Sequence, residues 1–519
     1  MKPFKTFVFL LILFLISVFI RLPFLTNKVE CFDNQYINTL TSLENWKQNG
    51  LSVYYFSPVQ TYNNPGDKFI TYYKRLEDKK GNNYYVSFPP FTFLFAHFFL
   101  KTFNIYPTKL PLQIINLFLH LLSAVFIYLI ICNLYNKNFK SLFLPAIIAY
   151  TVYIFMPIML YIHTSVYFPE MFGQVIWITG IFFTLKLFKN INYISAKNFW
   201  LIGSILFFMI YTEWIGVFCA FTIALICFLK RKKNIKYIIL FRTVIISSVL
   251  SLLLIFVQYS SINGIENMIH SSSLRFLERS GLFAAKYSDM GINIYSFSSY
   301  IHFLKNINRA LIGFGYLLII IFIILLSLKK IKNRINLSNK YTLLLLLSVL
   351  PVIIHWFVFF NANAIHYLLM GRLAVPVSLC IGIISYKLIN LSSVNHQKSV
   401  KFCLITVIIF ISAISVIIFK KDMKNTCDNS FLSNAINIIK SNSKNDEVIF
   451  IKTNDNSLQD IIYLSFQTKR NMDRAKNITD AKNKIKQSGK CLTKGVFYDF
   501  DQPLNTNKIY HFKVKLKDD

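Results

Sequence analysis

Only 23 of the 519 residues are Asp or Glu, and a few of them sit where acid–base chemistry beside a membrane could use them. Asp33, in CFDNQY, follows the first apolar run by about a dozen residues. An acid held at the water–lipid boundary is partly desolvated, which raises its proton affinity and makes it a better general base. Glu30 is its neighbour and rival, and Asp33 could instead cap a helix beginning at Asn34. Glu170, in HTSVYFPEM, falls in the first turn of an apolar span just after Pro169. There a carboxylate can do chemistry or simply complement the helix dipole. Glu213, in YTEWIG, marks the tip of a short apolar hairpin, where an embedded acid is a functional suspect and a capping role is the alternative.

The cations that could face an anionic group come late in the chain. NANAIHYLLMGRLAVP brings His366, Tyr367 and Arg372 to the start of an apolar span. A guanidinium so close to the bilayer needs an anionic partner, and a phosphate is a natural one. His366 and Arg372 are six residues apart, so a regular α-helix would point them some 120° away from each other. Both can reach one ligand only if that helix starts after Tyr367. Arg275 and Arg279, in LRFLERSG, are further candidates, with pairing to Glu278 or to lipid phosphates as the plainer reading. No CxxC and no paired-His spacing suggests a metal site, and the chemistry sketched here demands no cofactor.

These residues must be held by membrane helices. With 55% hydrophobic and 15% charged residues, the chain is too apolar for a soluble globule. Apolar spans are read near 4–22, 111–133, 142–161, 170–188, 199–211, 214–229, 237–257, 309–328, 341–360, 367–389 and 401–419. Most hold about 17–25 residues, enough to cross a ~30 Å core. Phe91–Phe103 is too short and reads as an interfacial or re-entrant helix, while Trp200–Leu229 reads as a tight hairpin that crosses twice.

Charge fixes that choice. With these assignments the basic turns Lys137–Lys140, Lys186–Lys197, Lys230–Arg242, Lys329–Lys340 and Lys387–Lys401 all fall on one side, together with Lys2 and Lys5. None of those segments contains an acid. The positive-inside rule then gives a cytoplasmic N-terminus, eleven spans and an external C-terminus, most simply in a plasma (inner) membrane. The formal charge of +33 is thus an orientation signal, with contact to anionic lipid, rather than a nucleic-acid footprint. The N-terminal apolar run lacks a small-residue cleavage site and reads as a retained anchor.

Two external regions remain: a polar loop of residues 23–110, counted with the membrane domain (1–421), and a tail domain (422–519). The loop has a helix expected from Asn34 to Gln48, aromatic pairs and a Pro89–Pro90 step. In the tail, helices Asn434–Ser441, Leu458–Phe466 and Ile478–Ser488 interleave with strands Glu447–Lys452, Gly495–Phe500 and Lys508–Lys515. That order argues for a small α/β domain, without a phosphate loop or nucleophile motif. Cys427 and Cys491 could bridge within it if the compartment is oxidising.

The order of features resembles the membrane-embedded C-type glycosyltransferases, in particular the branch holding protein O-mannosyltransferases and the lipid A aminoarabinose transferase. The matching pieces are RLP at the end of the first span, Asp33 where the family has an Asp-Glu pair, YVSFPPF at its Pro-Pro step, PEM before the fourth span, and HYLLMGRLAVP. Asn34 stands in place of the second acid, and Phe88 where the aminoarabinose branch has a Lys. The resemblance implies inverting transfer of a sugar from a polyprenyl-phosphate donor to a glycan, lipid or protein acceptor. Asp33 would be the base, and Arg372, His366 or Tyr367 would face the phosphate; Glu170 is kept as the second catalytic candidate. An O-antigen ligase or polymerase, with Arg275 and Arg279 in a late loop, is the rival enzyme reading. A transporter would be expected to show an inverted repeat and more charge within its spans.

Overall fold

A computed structural model describes residues 3–514 except 30–33, 63–67, 69–75, 136–138, 194, 283–293, 328–338, 424–428, 445, 454–457, 488–493 and 501–507. The chain divides into two compact units. One comprises residues 1–25, 112–256 and 272–424, the other 26–111, 257–271 and 425–519.

The first unit is helical, and the chain is an integral membrane protein. Among the described residues, seven helices are long and apolar enough to cross a bilayer, and two bent pairs raise the number to nine. The bent pairs are Phe143–Phe155 with Pro157–Ser165, at 53°, and Phe297–Leu311 with Phe314–Ile320, at 93°. In the first pair the break falls at Pro157, which lacks an amide hydrogen and opens the second helix. The hairpin read from sequence is present as Ala196–Ile210 and Ile215–Lys230, each shorter than a usual span. Gly216 makes its turn possible, because a Cβ there would lie 2.6 Å from the Ile210 amide nitrogen and 2.7 Å from the Met209 carbonyl oxygen.

Two boundaries differ from the sequence reading. The region read as a loop over 258–308 is largely helical: Ile235–Ser280 continues through a break at Asn263–Gly264, where Gly264 has φ +83°, and Phe297–Leu311 is a further amphipathic helix. The span read as 309–328 therefore starts beyond the bend, at Phe314. Asparagines and charged residues interrupt the apolar pattern in both places, which conceals helix that is only half-apolar.

Arg21, the Arg of RLP, is fully buried. Its Nε donates to the Ser17 carbonyl at 3.0 Å, Nη2 to Ser17 Oγ at 2.7 Å and Nη1 to His120 Nδ1 at 3.1 Å. The His120 ring stacks on His163 at 4.3 Å, and His163 Nδ1 pairs with Asn116 Oδ1 at 3.0 Å. This polar chain pins the end of the first helix to Lys109–Leu134 and Pro157–Ser165.

In the second unit the helix Asn34–Asn49 forms as expected, with Tyr36, Leu40, Leu43 and Trp46 buried. A short hairpin, β1 (Leu76–Glu77) and β2 (Asn83–Tyr84), is tied by Asp78, which accepts from the amides of Lys80 and Asn82 and from the Tyr84 hydroxyl. The Pro-Pro step ends at Pro90, the residue before helix Phe91–Thr102. The tail supplies a four-stranded sheet of β3 (Val448–Thr453), β4 (Met472–Arg474), β5 (Lys494–Phe500) and β6 (Lys508–Lys513), in the order β4-β3-β5-β6. The β3 pairings are parallel and β6 runs antiparallel at the edge, as its alternating sequence suggests. Val448, Ile449, Phe450 and Ile451 are all buried, as a central strand covered on both faces requires. Strand β4 was not legible: MDR carries two charges in three residues and is held by register with Ile449–Ile451.

The tail binds the first loop closely. Asn471 accepts from the Tyr62 amide at 2.9 Å and donates back to its carbonyl at 3.2 Å, and Lys469 meets Glu44 at 2.6 Å.

Candidate functional site

The membrane unit gathers three of the sequence-selected residues. Glu213 sits at the hairpin tip and Arg372 in the 3-10 turn Tyr367–Leu373, 159 residues later. Arg372 Nη2 donates to Glu213 Oε1 at 2.7 Å, with the two side chains 5% and 1% exposed. Glu213 Oε2 also accepts from the Ile215 amide at 3.1 Å. The capping role and the embedded-acid role thus belong to one carboxylate.

Arg372 Nη1 donates to His355 Nδ1 at 3.0 Å, and Asn363 Nδ2 lies 3.1 Å from the same nitrogen. His355 Nδ1 is therefore an acceptor, which puts the ring proton of the neutral imidazole on Nε2. His355 was missed from sequence, although a histidine in the middle of SVLPVIIHWFV is the kind of interruption that marks a buried partner.

Glu170 opens the helix Pro169–Lys189 and is 7% exposed. It lies within electrostatic reach of Glu213, Arg372 and Arg279. Its Oε2 is buried without a hydrogen-bond partner among the described residues. Glu213 holds the guanidinium directly, while Glu170 lies within reach of its charge and keeps bonding capacity to spare. One turn further along, Gly173 lets the hairpin tip close on this helix, since a Cβ there would lie 2.9 Å from Glu213 Cβ. Gln174 Nε2 donates to the Gly371 carbonyl at 3.0 Å and ties the helix to the turn carrying Arg372.

Gly173→Ala should therefore cost about 1–3 kcal/mol of stability, the usual penalty for overpacking. Thermal unfolding of the purified variant should show a lowered midpoint. An unchanged midpoint would mean that the tip moves aside freely and that this packing does not fix Glu213.

His366 and Tyr367 take different surroundings. The α-helix starts only at Ala374, so the angular objection to a shared ligand does not apply, yet Arg372 is buried and His366 is exposed. Arg279 and Arg275 lie within electrostatic reach of the exposed His366 imidazole. Two guanidinium charges so near disfavour the imidazolium, so the ring serves as a neutral hydrogen-bonding group rather than a cation. Tyr367 lies under Arg309, whose guanidinium carbon is 4.6 Å from the ring centroid, and Arg309 pairs with Asp422 at 2.8 Å. Arg275 pairs with Glu278 at 2.8 Å, as the plainer sequence reading had it.

Glu30 and Asp33 lie outside the described residues, as do Cys427 and Cys491. The described chain resumes at Asn34, the first residue of its helix. Among the described residues no group of three or more His, Cys, Asp or Glu could hold a metal ion.

No protein-family model and no curated protein matches the chain. Solved structures do. The oligosaccharyltransferase of Archaeoglobus fulgidus, in the apo form, aligns with a TM-score of 0.63 at 13% identity, over 95% of this chain and 70% of that one. The same enzyme, AglB, in complex with an inhibitory peptide and a dolichol-phosphate aligns with a TM-score of 0.59 at 12% identity, over 96% and 70%. ArnT from Cupriavidus metallidurans bound to undecaprenyl phosphate aligns with a TM-score of 0.50 at 10% identity, over 94% and 92%. Alignments that run almost the full length of the chain, to proteins from an archaeon and a bacterium, leave one architecture in common: the chain has the fold of the membrane-embedded C-type glycosyltransferases.

Proposed function

We propose that the chain is a glycosyltransferase that moves a sugar from a polyprenyl-phosphate donor to a glycan, lipid or protein acceptor on the extracytoplasmic face of the plasma (inner) membrane. The observation that carries this reading is the buried group of Glu170, Glu213, Arg372 and His355 within a fold shared with a dolichol-phosphate-bound oligosaccharyltransferase and an undecaprenyl-phosphate-bound ArnT.

The acceptor hydroxyl oxygen attacks the anomeric carbon, and the bond from that carbon to the phosphate oxygen breaks with inversion. Asp33 takes the hydroxyl proton, so the acceptor oxygen gains nucleophilicity as the bond forms. The departing group is polyprenyl phosphate, whose charge fixed donors and cations stabilise. Arg372 and Tyr367 are assigned to that phosphate, with neutral His366 as a hydrogen-bond donor and Arg275 and Arg279 adding positive potential. Arg372 already holds Glu213, so the phosphate shares that guanidinium. Glu170, with an oxygen to spare, orients a hydroxyl of the sugar or acceptor. Glu30 is the substitute base next to Asp33.

Sidedness follows from the lysine asymmetry. A reporter fused after Lys236 should be cytoplasmic and one fused at Asp519 external. The opposite result at either point would put the acids on the wrong face and remove the proposal's common site.

A further inference from the structure

The second unit holds a cavity of about 410 Å³ between the helices Asn34–Asn49 and Phe91–Thr102. Ligand pockets commonly start near 300 Å³, so this is room for part of a small amphiphile. Trp46, Phe56, Leu100 and Ile105 give it apolar walls, and Lys47 and Lys101 are its charged lining residues. No acid lines it. Both lysines are exposed, and neither is in an ion pair with a described carboxylate. Lys47 Nζ sits 4.3 Å from the centroid of the Tyr106 ring, a contact that positions the ammonium without neutralising it.

Backbone strain collects around the same cavity. Among the described residues other than glycine, only Tyr55, Phe56, Asn104 and Lys469 have positive φ. Phe56 and Asn104 line the cavity, and Tyr55 adjoins Phe56. A left-handed conformation is unusual for a bulky aromatic residue, and such strain clusters at ligand clamps.

The surroundings specify the kind of ligand. Phe98, Phe103 and Tyr106 are 51%, 61% and 53% exposed, and Val53, Phe56 and Ile105 add to the same apolar collar. Water does not favour such a collar, whereas aromatic side chains beside lysines are the usual furnishing of a membrane interface.

We propose that this cavity binds an anionic phospholipid of the surrounding leaflet, with an acyl chain against Trp46, Leu100 and Ile105 and the phosphate at Lys47 and Lys101. The site is separate from the acid–guanidinium group of the membrane unit and does not depend on the activity proposed above. Its occupant would brace the first loop against the bilayer surface.

The test uses full-length protein in a neutral detergent, titrated with phosphatidylglycerol or phosphatidylcholine and read by native mass spectrometry. Wild type should retain one phosphatidylglycerol with a preference of roughly tenfold or more, since each lysine near an anionic lipid adds to its attraction. The double variant Lys47→Gln/Lys101→Gln, at two exposed positions, should lose that preference. Ile105→Trp, which fills the cavity from its exposed side, should lower retention of phosphatidylglycerol. Equal retention of the two lipids by wild type would overturn the proposal, as would either variant behaving as wild type. Displacement of the bound phosphatidylglycerol by an equal concentration of undecaprenyl phosphate would also overturn it, because the cavity would then belong to the carrier lipid.

Discussion

Asp33→Asn should lower the rate of sugar transfer roughly 10²–10⁴-fold, the range over which a positioned general base contributes. Asparagine keeps the size and the hydrogen-bonding capacity of the side chain but cannot take a proton at neutral pH. Donor affinity should change little, because the phosphate is assigned to residues in the membrane unit. The pattern expected is a fall in kcat with KM for the donor held, the signature of an interaction made in the transition state. Transfer by Asp33→Asn at the wild-type rate would remove the base assignment and pass the question to Glu30 and Glu170.

The second large effect belongs to Arg372. Its partner Glu213 is almost wholly buried, so Arg372→Ala leaves a carboxylate without its counter-charge. Breaking a buried pair in this way costs about 3–5 kcal/mol. The unfolding midpoint of the single variant should drop sharply, and turnover should be lost with it. Arg372→Met with Glu213→Gln removes both charges and should recover much of the midpoint without recovering turnover. Glu213→Gln alone separates the two roles of the guanidinium. If Arg372 also meets the donor phosphate, releasing it from Glu213 should tighten polyprenyl-phosphate binding. Unchanged or weaker binding in a well-folded Glu213→Gln protein would confine Arg372 to holding the hairpin tip.

The legibility of the fold varied with the physics that specified each part. Apolar runs announce themselves, and helix is found at the place of each, the one read from 309 starting only at Phe314; among the described residues seven to nine of these helices are candidate spans, against the eleven expected. The failures came where a helix is only half-apolar. Phe297–Leu311 presents one apolar face and carries Lys305 and Arg309 on the other, so its sequence passes for a loop. The tail strands β3, β5 and β6 were legible from β-branched and aromatic runs, whereas β4 owes its place to a neighbour. The tail, read as a domain counted apart from the first loop, is also joined to it, through Asn471 at Tyr62 and Lys469 at Glu44. Such partners lie more than 400 positions apart, and no local pattern announces them.

The candidate site was legible in its residue types and less so in their pairing. Glu170, Glu213 and Arg372 stood out as charges beside apolar spans, and the structure brings them together. That Arg372 faces a protein carboxylate as well as any phosphate was not readable, because the sequence does not say which distant turn it meets. Nor was the tightness of the approach at Gly173, since a glycine in an apolar helix has many uses.

The identity of the lipid product shows which donor the enzyme uses. Purified wild-type protein and Asp33→Asn should each be incubated with polyprenyl-phosphate sugars and a membrane extract as acceptor source, and the released lipids read by mass spectrometry. Wild type should release polyprenyl monophosphate in an acceptor-dependent way, and Asp33→Asn almost none. Release of a polyprenyl diphosphate from the extract's own lipids, with the monophosphate sugars untouched, would contradict it and favour a ligase or polymerase.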